Sequence, residues 1–236
     1  MEPLQLVQMP QVPVWLGVVN VIGDVLWLVA YILAIRKGFQ EKTYAVPMLC
    51  IALNLSWELI YAAIFRFPVD IIAYLRWAWL LADLVIAYQL FRYGRQQQTT
   101  PVMVKYFYPV AVVSFISAFI GQLTYHFTFG DTWGMSNAYL INLVMSMLFI
   151  AMFFGRNGSS GQSMGTAWTK MLGTGILSVG SCFTITNWLQ SSFLVYLFVT
   201  IFILDVIYLV LLYADKRLHA TQAKIPAVAA ASPAAD

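Results

Sequence analysis

AVPMLCIALNLSWELIYAAIF, residues 45–65, is a run of 21 residues in which Glu58 is the only charged side chain. The run is as long as a helix that crosses a bilayer, roughly 17–25 residues. Ionising a carboxyl group within the hydrocarbon layer costs several kcal/mol on most scales. An acid in such a place is either a proton-handling group or part of a polar lock between helices. Asn54, Glu58 and Tyr61 recur at i, i+4 and i+7, which puts them on one helical face, with Trp57 beside them.

The rest of the chain repeats this pattern. Of its 236 residues 61% are hydrophobic and 10% charged, whereas a soluble domain carries about a quarter charged residues. Six further apolar segments, near 13–36, 72–92, 104–127, 134–154, 167–188 and 193–213, are long enough to span. The expected fold is therefore all-α, an integral membrane bundle of seven transmembrane helices over residues 1–219. The Ala-rich residues 220–236, with two prolines and no periodic apolar face, read as a disordered tail. Met1 to Val12 lacks a basic n-region, so the first span is not a cleavable signal.

With the N-terminus outside, Arg36, Lys37, Lys42, Arg92, Arg95, Lys105, Arg156, Lys170, Lys216, Arg217 and Lys224 fall on one side, and Arg66 and Arg76 on the other. The positive-inside rule then gives a lumenal or extracellular N-terminus and a cytoplasmic C-terminus. Trp15, Trp133 and Trp188 fall near span ends, where interfacial anchors belong. Cys50 and Cys182 both lie in apolar segments and suggest neither a disulfide framework nor a thiolate metal site. No basic stripe exists outside the loops, which excludes nucleic acid as a partner.

Polar faces recur in other spans. The first carries Asn20, Asp24, Trp27 and Tyr31, the third Arg76, Trp79 and Asp83, and the fourth ends with Gln122, Tyr125 and His126. The last carries Phe198, Phe202, Asp205 and Tyr208. Such faces converge on the bundle interior, because lipid cannot satisfy them. Glu58 lies about 10 Å from the outer end of its span and Asp205 about 18 Å from the outer end of its own, at 1.5 Å per residue. The two acids are thus expected to look into one cavity, with Asn54, Trp57, Tyr61, Asp24, Trp27, Trp79, Asp83, Phe202 and Tyr208 as its substrate-binding lining. Structural uses compete at several positions. Asp24 with Asn20 also reads as a hydrogen-bond lock, Asp83 as a partner of Arg76 or of a neighbouring helix, and His126 as an interfacial residue. Gly173, Gly175 and Gly180 suit close helix packing.

An apolar cavity disfavours the charged form of a carboxyl, so the acid stays protonated near neutral pH. Proton donation to an epoxide or alkene needs such a group. Aromatic faces stabilise the resulting cation without attacking it, and exclusion of water prevents its premature capture. The sequence contains no HExxH, DDxxD, DxDD or G-x-S-x-G motif, and the last span holds no lysine for a retinal Schiff base. A small proton-coupled transporter is the alternative, since intramembrane carboxylates also serve proton relays. Against it stand the large aromatics of the polar set, the lack of a repeat pair and the scarcity of proline within the spans.

The run Thr43 to Cys50 leading into Asn54-Leu55-Ser56-Trp57-Glu58-Leu59-Ile60-Tyr61 resembles the membrane-bound terpene cyclases of meroterpenoid and indole-diterpene biosynthesis. These are small seven-helix proteins of fungi, with relatives in bacterial drimane-type indole alkaloid pathways. The resemblance rests on the Asn-x-x-Trp-Glu run, with Asp205 in the last helix and the Gly161-Gln162-Ser163 loop in support. It implies that Glu58 is the acid that starts cyclisation and Asp205 the second essential carboxylate, with no cofactor. It also implies a prenylated small-molecule substrate, in the endoplasmic reticulum of a fungus or the inner membrane of a bacterium. Leu53-Asn54-Leu55-Ser56 stands where many fungal members are expected to carry Cys-Asn-Ile-Ala, which leaves the substrate subfamily open.

Overall fold

The structure, a computed structural model, describes residues 13–65, 71–184 and 192–230. Arg66, Trp188 and residues 231–236 of the expected tail lie outside the described residues. Seven α-helices follow one another: α1 (Val14–Glu41), α2 (Met48–Glu58), α3 (Ile71–Tyr93), α4 (Pro101–Phe129), α5 (Met135–Gly155), α6 (Met164–Thr184) and α7 (Ser192–Ala230). A π-helical segment, Leu59–Ile64, continues α2, and a 3-10 turn, Gly94–Gln97, ends α3. No strand occurs among the described residues.

Five helices are long and apolar enough to cross a bilayer, namely α1, α3 with its 3-10 turn, α4, α5 and α7. Met48–Ile64 is apolar but shorter. α6 is not among the five, and its inward face carries Thr166, Lys170, Thr174, Ser178 and Ser181. Leu81, Val113, Ile120 and Val210 face outward while Asn54, Gln89 and Gln122 are buried. That inversion is what a lipid-facing surface requires, because interior polar groups must find their partners within the protein. The chain is an all-helical, multi-pass membrane protein.

Helix ends follow local chemistry. Pro13 and Pro47 precede α1 and α2 in extended conformation, and Thr100 accepts a hydrogen bond from Met103 N at the start of α4. α1 stops where Lys42 turns left-handed at φ 49°, its N–H bonding to Gly38 O and Phe39 O. The loops at that end are tied together. Arg156 Nη2 donates to Tyr44 O (2.9 Å), Gly161 N to Glu41 Oε2 (2.7 Å) and Ser159 N to Asp215 Oδ2 (3.0 Å). α7 is assigned eleven residues beyond His219, where a disordered tail was expected.

α1 packs against α3 and α6, α2 against α3 and α4, and α7 against α5 and α6. The α1–α6 crossing depends on small residues. A Cβ on Gly23 would sit 2.7 Å from Leu177 Cγ, and one on Gly173 would sit 3.0 Å from Gly23 O. Gly180 meets the Asn20 side chain in the same seam, whereas Gly175 has nothing within 4 Å. Two of the three glycines expected to allow close packing therefore do so.

Candidate active site

Tyr31, Glu58 and Asp83 each lie ten residues from a helix end on the loop-tied side, those ends being Glu41, Met48 and Tyr93. At 1.5 Å per residue all three stand about 15 Å into the bundle. Because α2 and α3 are neighbours and α1 packs on α3, the three side chains meet. Tyr31 OH donates to Glu58 Oε1 (2.9 Å), and Asn54 Nδ2 donates to Tyr31 OH (2.9 Å). Glu58 and Asp83 are each 1% exposed. Glu58 Oε2 and Asp83 Oδ2 are both buried without a hydrogen-bond donor, and the two carboxyl groups lie close enough to act on one another. The π-helical segment starts at the residue after Glu58; such segments often mark functional sites.

Above this layer opens a cavity of about 260 Å³ bounded by α1, α2, α3, α5 and α6. Glu58 and Tyr31 lie at one end of its lining. Trp27, Trp57, Trp79 and Trp133 supply aromatic walls, and Asp24 and Arg76 supply charge. Trp57 is pinned by its Nε1 donating to Gly134 O (2.8 Å), and Trp79 by its Nε1 donating to Asp24 O (3.2 Å). Arg76 lies over the Trp57 ring, 5.3 Å from its centroid. Gly134 must be glycine: its φ is +70°, and a Cβ there would meet the Tyr61 ring at 2.5 Å.

The expected lining divides. Asn54, Trp57, Asp24, Trp27 and Trp79 border the cavity together with Glu58. Asp83 stands behind Glu58 and does not reach the lining. Tyr61 is fully buried beside Trp57, its hydroxyl donating to Asp131 O (3.1 Å) and lying 3.2 Å from His126 Nδ1. Phe202 is 53% exposed and faces outward, and Tyr208 packs on Phe149 at 5.2 Å between ring centroids. Neither borders the cavity.

Asp205 is also absent from the lining, so the expectation that it and Glu58 look into one cavity is not met. Lys170 Nζ donates to Asp205 Oδ1 (2.8 Å), Asp205 Oδ2 (2.9 Å) and Ser146 Oγ (2.8 Å), and Ser146 Oγ donates to Asp205 Oδ1 (2.8 Å). Lys170, grouped by the sequence with the loop cations, is instead 2% exposed inside the bundle. It forms a buried ion pair with Asp205 and lies 5.8 Å from the Trp27 ring centroid, near the cavity wall. Trp133, expected at the interface, lines the cavity.

Lys170, Thr174 and Ser181 of α6, with Asn142 and Ser146 of α5, were not singled out. The i, i+4 recurrence of Thr166, Lys170, Thr174 and Ser178 carried the signal for the first group. Among the described residues no group of three or more His, Cys, Asp or Glu could hold a metal ion.

A sequence model of the Pyr4-like transmembrane terpene cyclases matches residues 7–217. Terpene cyclase macJ of Penicillium terrestre is 28% identical over 169 residues, covering 69% of this chain and 64% of that protein. Pyr4-family terpene cyclase mfmH of Annulohypoxylon moriforme is 27% identical over 63% of this chain and 62% of its own. Terpene cyclase esdpB of Penicillium shearii is 31% identical over 42% of this chain and 40% of its own. The matched stretches thus span less than two thirds of these relatives.

Proposed function

The chain belongs to the Pyr4-like transmembrane terpene cyclase family, and on that premise we propose that it is a metal-independent cyclase in which Glu58 starts the reaction. Its substrate is a prenylated aromatic or indole compound that enters from the lipid and folds its polyprenyl chain within the tryptophan-walled cavity. The Glu58 O–H bond breaks, and its proton passes to a terminal epoxide oxygen or alkene carbon. The resulting cation is attacked by successive alkenes, forming rings. It is discharged when an adjacent C–H bond gives up its proton and forms a new C=C bond, and the released proton restores the Glu58 carboxyl group. The tryptophan faces hold the positive charge without bonding to it, an attraction of about 2 kcal/mol or more where water is excluded.

The observation that carries this reading is the position of Glu58, a buried carboxyl on a cavity that also presents four tryptophans. Asp205 enters as a positioning residue through Lys170, since Lys170 stands between it and Trp27 of the cavity wall. The test is Glu58→Gln in membranes given farnesyl and geranylgeranyl aromatic or indole substrates, each with and without the terminal epoxide. Cyclised product should vanish while protein abundance stays near normal. Wild-type turnover by Glu58→Gln would refute the assignment, and pH-dependent flux without conversion would favour proton-coupled transport.

A further inference from the structure

Asp83 has no part in the mechanism above, yet it is as deeply buried as Glu58, lies beside it, and like it holds a carboxyl oxygen that no donor reaches. Two ionised carboxylates in contact within an apolar interior would repel each other strongly. A hydrogen bond between two carboxyl groups needs a proton on at least one of them. Among the described residues the groups around Asp83 offer no other remedy. Tyr31 of α1 spends its hydroxyl proton on Glu58 Oε1. Cys50 of α2 is a buried thiol and only a weak donor. The cation of α6, Lys170, is committed to Asp205, and Arg76 of α3 lies against Trp57.

We infer that Asp83 is a positioning residue that stays protonated and donates its O–H to Glu58, holding the carboxylate that Glu58 becomes after giving its proton to substrate. The inference rests on the reading of Glu58 as the proton donor. Before the step both acids carry protons. In the step the Glu58 O–H bond breaks, its electron pair stays on Glu58, and the proton leaves with the substrate. The new carboxylate then accepts two hydrogen bonds, one from Tyr31 OH and one from the Asp83 carboxyl. Hydrogen bonds to the charged form favour it, so the two donors hold the Glu58 carboxylate in place while the substrate carries the positive charge. The proton released by the final cation balances the one consumed, and no co-reactant is needed.

Two measurements on the full-length protein in lipid test this. The first is the infrared C=O stretch of protonated carboxyls in wild type, Glu58→Gln and Asp83→Asn. Removing either acid should shift the band of the other. Bands in either variant that match the wild-type component unshifted would overturn the proton-sharing contact. The second compares Asp83→Asn, which keeps a donor, with Asp83→Leu, which keeps only bulk. Asp83→Leu should lose about 100-fold or more in kcat with KM little changed, the scale of one donor lost from a developing anion. Asp83→Asn should retain activity within about tenfold of wild type, roughly the weight of exchanging one hydrogen bond for a weaker one. Equal kcat in the two variants, or a better Leu variant, would overturn the donor role and indicate packing alone. Coupled infrared bands in a wild-type protein that converts no prenylated substrate would overturn the cyclase reading, whereas uncoupled bands in an active enzyme would overturn this one.

Discussion

Lys170 and Asp205 show what a charge does when it cannot reach water. Their three short contacts with each other and Ser146 satisfy both ions, at the desolvation cost that any buried pair carries. Removing one partner strands the other. Lys170→Met or Asp205→Leu alone should destabilise the bundle by about 3–5 kcal/mol, whereas the double substitution should recover most of that loss. A thermal-melt cycle in detergent checks this, and additive losses in the double variant would show that the ions do not act as a pair. The same cycle separates structural loss from catalytic loss at Asp205, because a stable but inactive double variant would give Asp205 a role beyond the lock. Glu58 behaves differently: its partners are a tyrosine hydroxyl and a second acid, neither of which neutralises it. That difference is the reason the proposed proton donor is Glu58 rather than Asp205.

At the scale of elements, short connections hold the helices in register at the loop-tied end. The Arg156–Ser163 turn binds three partners at once: Tyr44 before α2, Glu41 at the end of α1 and Asp215 on α7. The hydrogen bond from Ser159 holds the Asp215 carboxyl below the usual carboxylate range. A carboxyl whose folded value is lowered contributes stability above its unfolded value, near 3.8, and loses it as pH falls through the lowered folded value. The turn should therefore become more sensitive to proteolysis as the pH drops below about 4, within the ordinary carboxylate range. In Asp215→Asn that acid dependence should flatten, as limited digestion across pH in detergent would show. At the opposite end Gly134, Trp57 and Tyr61 interlock, which ties the cavity wall to the start of α5. Neither loop has a strong motif in the sequence. Arg156 and Asp215 are 59 positions apart by numbering, and only the return of α7 to the α5–α6 turn brings them together.

For the whole molecule, burial of Lys170 and Arg76 removes one cation from each side of the loop count. Ten basic residues still stand against Arg66 alone, so the orientation argument survives the correction. In a Cys182→Ser background, Ser160→Cys should react with membrane-impermeant maleimide from the cytoplasmic face and Thr132→Cys from the other. The reverse labelling would invert the topology and the side from which protons reach Glu58. What the sequence alone determined is the helical membrane class, the level of each acid along its helix, and the cost of ionising Glu58. These are local quantities, set by composition, helical period and rise per residue. Only the tertiary structure decided which acids meet. Helical period assigns a side chain to a face, but the identity of the facing helix depends on the order and rotation of helices around the bundle. With α3 beside α2, Asp83 reaches Glu58; with α7 against α5 and α6, Asp205 reaches Ser146 and Lys170 instead.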